Sequence, residues 1–195
     1  MPRIRASSIR EHVSRQREQI LAAATTLFRE KGFGETDLVD IARAIGLARN
    51  SLYRYFPDKE HILLACVQHD MNPLMQRFEQ LERDVHDPRA RIDAWIDLSL
   101  SFATGPAHAT VQLMSEIRES APELRTELLK IHQLPSRVLE DALRAALGRE
   151  PRDPAVLAAM ISAMTQSAAG LALRRGDVAP VRRELTESVR RLLES

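Results

Sequence analysis

Five side chains able to hydrogen-bond to bases or phosphates, Arg49, Asn50, Ser51, Tyr53 and Arg54, fall within six consecutive residues. Leu52 and Tyr55 lie among them at helical spacing, which gives a short helix an apolar inner side and a polar outer face. Just upstream, Leu38, Ile41 and Ile45 put one apolar stripe on a second short helix, with Thr36 available as its N-cap. Ala42 stands where the two helices must cross closely, and a larger side chain there would push them apart. Gly46 supplies the positive φ of a tight turn, after which Leu47 returns the chain to the core. This is the spacing of a helix-turn-helix over roughly residues 36–56, whose second helix offers its outer face to the major groove. An αα-corner in a metabolic enzyme could share the apolar spacing. It would have less reason to expose two aromatic hydroxyls and two arginines on one short helix.

Other chemistry is poorly supported. The six histidines are His12, His61, His69, His86, His108 and His132. His61 and His69 lie two helical turns apart, about 12 Å, too far to share a metal. Glu82 and His86 are one turn apart, which is the spacing of a surface ion pair. No glycine-rich phosphate loop and no nucleophile motif occurs, so neither an enzyme nor a metal or cofactor site is expected.

The elements that must position these residues read as helix throughout. Apolar residues recur at three- and four-residue spacing, without sustained period-two alternation. Asp87-Pro88 and Asp153-Pro154 each place an N-cap before a first-turn proline, and Ser120 with Glu123 forms a capping box. Gly105-Pro106, Gly148 and Gly176 stop the preceding helices. Nine helices are expected, at about 10–32, 38–45, 49–56, 58–84, 88–104, 107–118, 121–147, 154–174 and 178–194. Pro73 and Pro135 should kink or divide two of them. The fold class is all-α: a three-helix head, residues 1–57, followed by a helical bundle, residues 58–195.

Composition is that of a soluble globular protein, with 44% hydrophobic and 28% charged residues and a formal net charge of +1. Residues 1–60 carry eleven Lys/Arg against eight Asp/Glu, and the excess gathers in Arg3, Arg5, Arg10, Arg15 and Arg17. A basic arm of this kind either follows a phosphate backbone or is a solvated tail. The single Cys66 excludes an internal disulfide and fits a reducing compartment; with no signal peptide in view, a cytoplasmic location is expected. From Ala155 to Leu173 run 19 residues without a charge, rich in Ala and broken by Ser and Thr, which reads as an interface helix rather than a membrane span.

The series Ile20-Leu-Ala-Ala-Ala, Leu27-Phe28, Gly32-Phe33, Thr36, Ile41-Ala42, Gly46-Leu47, Leu52-Tyr53, Tyr55-Phe56 and Lys59 resembles the head of TetR-type repressors over about residues 15–65. That resemblance implies phosphate contacts for Thr36, Tyr53, Tyr55 and Lys59, and base contacts for Arg49, Asn50 and Ser51. Three residues depart from the pattern. Ala48 stands where a Ser or Thr usually caps the recognition helix, Asn50 replaces a common Gly, and Asp37 would repel phosphate unless it points away and complements a helix dipole.

In the bundle, soft and aromatic residues recur on inner faces: Met75 and Phe78, Trp95 and Phe102, Met114 and Ile117, Met160 and Met164. Each alone fits plain core packing; a Met-lined cavity would take an apolar or amphipathic ligand, and the resemblance implies an effector cavity in this region. Small residues Ala159, Ser162, Ala163, Ser167 and Gly170 permit close helix approach, and Leu185, Val189 and Leu192 continue an apolar stripe on the last helix. Two such helices from each subunit would form a C2 four-helix interface. The expectation is a homodimeric, ligand-responsive repressor released by its effector from a palindromic operator in duplex DNA, without membrane attachment. A constitutive DNA-binding regulator and a helical protein-binding adaptor are the alternatives.

Overall fold

A computed structural model of the chain describes residues 2–105, 113 and 121–194. Among them are eight α-helices, one 3-10 turn at Pro122–Leu124, and no strand. The helices are α1 (Pro2–Lys31), α2 (Leu38–Ala44), α3 (Arg49–Leu52), α4 (Lys59–Asp84), α5 (Pro88–Ala103), α6 (Arg125–Leu147), α7 (Pro154–Arg175) and α8 (Ala179–Glu194). The helix expected at 107–118, and Ser120 of the expected capping box, lie outside the described residues.

The punctuation read from the sequence operates as expected. Asp87 accepts a hydrogen bond from the Ala90 amide at 2.8 Å, and Asp153 from that of Ala155 at 2.9 Å, each ahead of a first-turn proline. Gly176 ends α7 in the left-handed region at φ 68°, where a β-carbon would be strained.

Three expectations are corrected. α1 begins at Pro2, so the residues read as a basic arm continue the helix. α3 ends at Leu52 instead of residue 56. Pro73 and Pro135 both lie inside continuous helices and divide neither α4 nor α6, which tolerate the single lost hydrogen bond.

The described residues form two compact units. The head comprises residues 2–70 with 113 and 121–128, and the body residues 71–105 with 129–194. In the head, Ile20, Ala24, Phe28, Ile41, Leu52, Ile62, Leu63 and Val67 are fully or almost fully buried, and the rings of Phe28 and Phe33 meet at 5.3 Å. α2 packs against α1 and against α3. In the body, α7 packs on α5 and α8, and α8 on α5. Ile92, Ile96, Leu100, Leu139, Ile161 and Val189 fill its core. Each large apolar side chain so buried contributes about 1.5–3 kcal/mol.

Candidate nucleic-acid interface

The helix-turn-helix is built by backbone hydrogen bonds at its turn. Gly46, at φ 68°, donates to the Arg43 carbonyl at 3.2 Å, and Leu47 donates to that of Ala42 at 2.9 Å. The two bonds together make a Schellman motif, which ends α2 and swings the chain into α3. α3 follows as one α-turn, Arg49–Leu52, whose cap Ala48 offers no side-chain hydrogen bond. After Leu52 the chain passes into a turn in which Tyr55 and Phe56 both donate to the Leu52 carbonyl, at 2.9 and 3.1 Å, just ahead of Pro57, which disfavours helical backbone at Phe56. Leu52 and Phe56 are buried, while Arg49, Asn50 and Arg54 are exposed and Ser51 and Tyr55 half-buried.

Tyr53 is 43% exposed and works with Arg49. The Arg49 guanidinium donates to the Tyr53 hydroxyl at 3.1 Å and lies 5.7 Å from its ring centre. The outer face therefore carries a partly fixed arginine fork beside an amide, a hydroxyl and a second arginine. These are groups suited to base edges and phosphate oxygens.

Two residues expected at phosphates are engaged inside the head. Thr36 is fully buried, and its hydroxyl donates to the Gly32 carbonyl at 2.8 Å. It has no exposed atom to offer a phosphate, and it is not the N-cap of α2. Asp37 holds that position, accepting from the Asp40 amide at 2.8 Å. The Lys59 ammonium donates to the carbonyls of Phe33, Gly34 and Thr36 at 3.0, 3.3 and 3.2 Å, and sits 4.5 Å over the Phe33 ring. Three acceptors match its three N–H groups, so Lys59 ties the start of α4 to the α1–α2 loop.

Composition could not single out Arg17, one of several N-terminal arginines. Its guanidinium donates to the Tyr55 carbonyl at 3.1 Å and lies 4.3 Å over the Phe56 ring, securing the turn after α3 to α1. Nothing in the local sequence marks this contact, because its partners are the Tyr55 carbonyl, 38 residues away, and the ring of the residue that follows it.

In the body, Phe78 and Trp95 are buried with ring centres 6.2 Å apart, and the Trp95 indole N–H donates to the Pro135 carbonyl at 2.8 Å. Met75, Phe102 and Met164 are half-buried. Met114 and Ile117 lie outside the described residues. Met160 is 46% exposed and is withdrawn as a pocket residue. It shares an outward face of α7 with exposed Val156, Ala159, Ala163, Ser167 and Leu173, and with half-buried Ser162 and Gly170. Leu185 and Val189 are corrected in the opposite sense. Both are buried in the body's own core, so the apolar stripe of α8 faces inward and its exposed face is charged. Leu192 is half-buried, and its carbonyl accepts from Arg152 at 2.8 Å.

An all-α chain with a Schellman-turn helix pair and a polar outer helix face defines the helix-turn-helix class. Residues 20–66 match the family described as bacterial regulatory proteins, tetR family. The chain is similar to this family over its head, and the curated relatives it matches are transcriptional regulators. It is 26% identical over 113 residues to the fatty acid metabolism regulator protein of Bacillus subtilis, a match covering 58% of each chain. It is 33% identical over 112 residues to the HTH-type transcriptional regulator EthR of Mycolicibacterium smegmatis, covering 54% of this chain and 49% of that one. The chain thus matches about half the length of these curated relatives. A TetR/AcrR-family regulator from Thermobifida fusca superposes with a TM-score of 0.69 at 27% identity, over 89% of this chain and 96% of the other. The regulator FadR of Bacillus subtilis, solved with stearoyl-CoA, shares the fold with a TM-score of 0.73 at 22% identity, over 88% and 96% of the two chains.

Proposed function

We propose that the chain is a cytoplasmic, homodimeric repressor that reads a palindromic operator and releases it when a small apolar or amphipathic ligand binds. Residues 1–57 act as the DNA-binding domain and residues 58–195 as the sensing and dimerisation domain. The observation that carries this reading is the outward row Arg49, Asn50, Tyr53 and Arg54, set directly after the Gly46 turn in a family-matched head. Arg49, Asn50 and Ser51 face bases, and Tyr53 and Tyr55 meet the backbone. Selection of bound fragments from random duplexes tests it, and a protein that enriches no sequence would sink the proposal. Arg49→Ala and Asn50→Ala should each relax the preference at one position, by about 1–3 kcal/mol against the wrong base. Quantitative gel shifts on matched and scrambled operators measure this.

The outward face of α7 supports the dimer. This helix is long and apolar enough to cross a membrane by length and composition, and only a third of its most apolar window is buried. Lipid would also have to accept the charged outer face of α8, packed against it, so a second copy is the better cover. For the ligand, Phe78 and Trp95 mark an apolar interior, and the Bacillus subtilis matches point to acyl chains: the curated relative is named for fatty acid metabolism, and the solved FadR holds stearoyl-CoA. A ligand shifts the operator equilibrium only if it binds the DNA-incompetent arrangement more tightly. Acyl-CoAs, fatty acids, steroids and aromatic drugs should be screened by thermal shift, and each hit tested for loss of operator affinity. Hits that leave operator affinity unchanged would identify a constitutive regulator.

A further inference from the structure

The row Arg49, Asn50, Tyr53 and Arg54 is carried by one α-turn and the turn that follows it. A single helical turn is too short to hold a direction by its own hydrogen bonds, so the row points where its two ends are fixed. The Gly46 turn fixes the first end. At the second, Leu52 and Phe56 are buried in the head, and Arg17 reaches across from α1. Arg17 stands one turn ahead of Ile20, on the side of α1 that Ile20, Ala24 and Phe28 bury. Its guanidinium donates to the Tyr55 carbonyl at 3.1 Å and lies 4.3 Å from the centre of the Phe56 ring. One contact takes the backbone and the other takes the ring of the next residue. Together they oppose both sliding and rotation of the turn.

We infer that Arg17 is a positioning residue for base recognition: by clamping Tyr55 and Phe56 to α1 it sets the angle at which the outward row meets the major groove, without taking a phosphate itself. The inference rests on the DNA-binding reading above. A guanidinium suits the task because it is planar, with a weakly hydrated face for the ring and donors along its edge for the carbonyl. Base edges accept hydrogen bonds only in a narrow range of directions, and they differ from one base pair to the next. Phosphate oxygens are the same on every sequence, and long side chains reach them over a wide range of angles. A turn released from Arg17 therefore forfeits base contacts first, while binding carried by charge alone survives.

The test uses the full-length protein, duplexes enriched by selection from random sequence, and scrambled duplexes of the same length. Arg17→Met keeps the aliphatic stem and removes the charge and the donors; Arg17→Lys keeps a charge and a donor but has no planar face for Phe56. In Arg17→Met, discrimination between selected and scrambled duplex should fall about tenfold, the size of one base contact. Arg17→Lys should fall between it and the wild type. The slope of log affinity against log salt on scrambled duplex should stay unchanged in both. In the Arg17→Met/Arg49→Ala double variant the two losses of discrimination should not multiply, because a displaced row has already forfeited part of the Arg49 contact. Mere loss of folded protein lowers binding to both duplexes by one factor and leaves discrimination untouched, so equal losses would overturn the inference. A fall of about 0.9 in the salt slope would overturn it too, by placing Arg17 on a phosphate. So would unchanged discrimination, multiplying losses in the double variant, or failure of both Arg17 variants to fold, which would assign the residue to stability alone. Wild-type protein that selects no duplex would instead overturn the DNA-binding reading.

Discussion

In the head, polar side chains close backbone gaps: Thr36 reaches the Gly32 carbonyl, Lys59 three carbonyls of the α1–α2 loop, and Arg17 the carbonyl of Tyr55. Between helices of the body the recurring contact is a surface ion pair: Arg190 with Asp93, Arg182 with Asp97, Arg137 with Glu82. Exposed pairs of that kind contribute only about 0–1 kcal/mol. Apolar packing, which is not directional, therefore carries most of the body, where Trp95 to the Pro135 carbonyl and Arg152 to that of Leu192 are directional exceptions, while directional bonds fix the short head elements. A reading surface needs its fork and amide held at defined angles. The sensing role proposed for the body would call for surfaces that can repack, and an apolar interior supplies them.

The largest effect expected from this contrast lies on α7. Ala163→Glu places an unpaired charge in the middle of its outward apolar face and should raise the dimer dissociation constant at least about 100-fold, near 3 kcal/mol. Sedimentation at micromolar concentration measures it. A variant that stays dimeric would show that α7 is not the interface, and that its exposed apolar face has another occupant.

Next is Lys59→Met, which keeps the stem and removes the donors. It should destabilise the head by about 2 kcal/mol, since hydrogen bonds to a charged group are worth more than neutral ones. As Lys59 is engaged with carbonyls, the salt slope of DNA binding should not change. A fall of about 0.9 in that slope with unaltered stability would return Lys59 to the phosphate. Smaller again is Thr36→Val, which preserves shape and strands the Gly32 carbonyl, at about 1 kcal/mol by thermal denaturation.

The sequence made the head readable because its signals are short-range. Gly46 followed by Leu47 demands a turn, and Leu38, Ile41 and Leu52 fall on stripes only a few residues apart. The roles of Lys59 and Thr36 were not legible, because their partners are backbone carbonyls, which every residue possesses and no side-chain pattern displays. The end of α3 was missed because helical spacing continues through Tyr55, while the backbone passes into a turn after Leu52. In the body the ambiguity has another source. A stripe such as Leu185 and Val189 shows that a helix face is buried, without showing whether its own chain or a second copy covers it. Met160 illustrates the converse, since its spacing with Met164 suggests a lining and its surroundings leave it open.

Two single-copy residues allow the units to be followed separately. Cys66 is the one cysteine and lies buried in the head; Trp95 is the one tryptophan and lies buried in the body. Burial pushes the Cys66 thiol up to about 12, and it donates to the Leu21 carbonyl at 3.6 Å. In the native protein it should therefore resist a thiol reagent at pH 8, so that labelling reports opening of the head. The same shift fixes a pH dependence. An unfolded chain loses this proton near the ordinary value of 9.0, and the folded one only near 12. The stability that the buried neutral thiol contributes is thus complete below pH 9 and is lost as pH rises toward 12. With urea as denaturant, labelling of Cys66 and emission of Trp95 give two stability curves from one sample. Lys59→Met should shift the Cys66 curve while moving the Trp95 curve by less than about 0.5 kcal/mol, the usual limit for distant, independent sites. Equal shifts in both would show that head and body unfold as one cooperative block, and the contrast between them would then describe contacts but not separate stabilities.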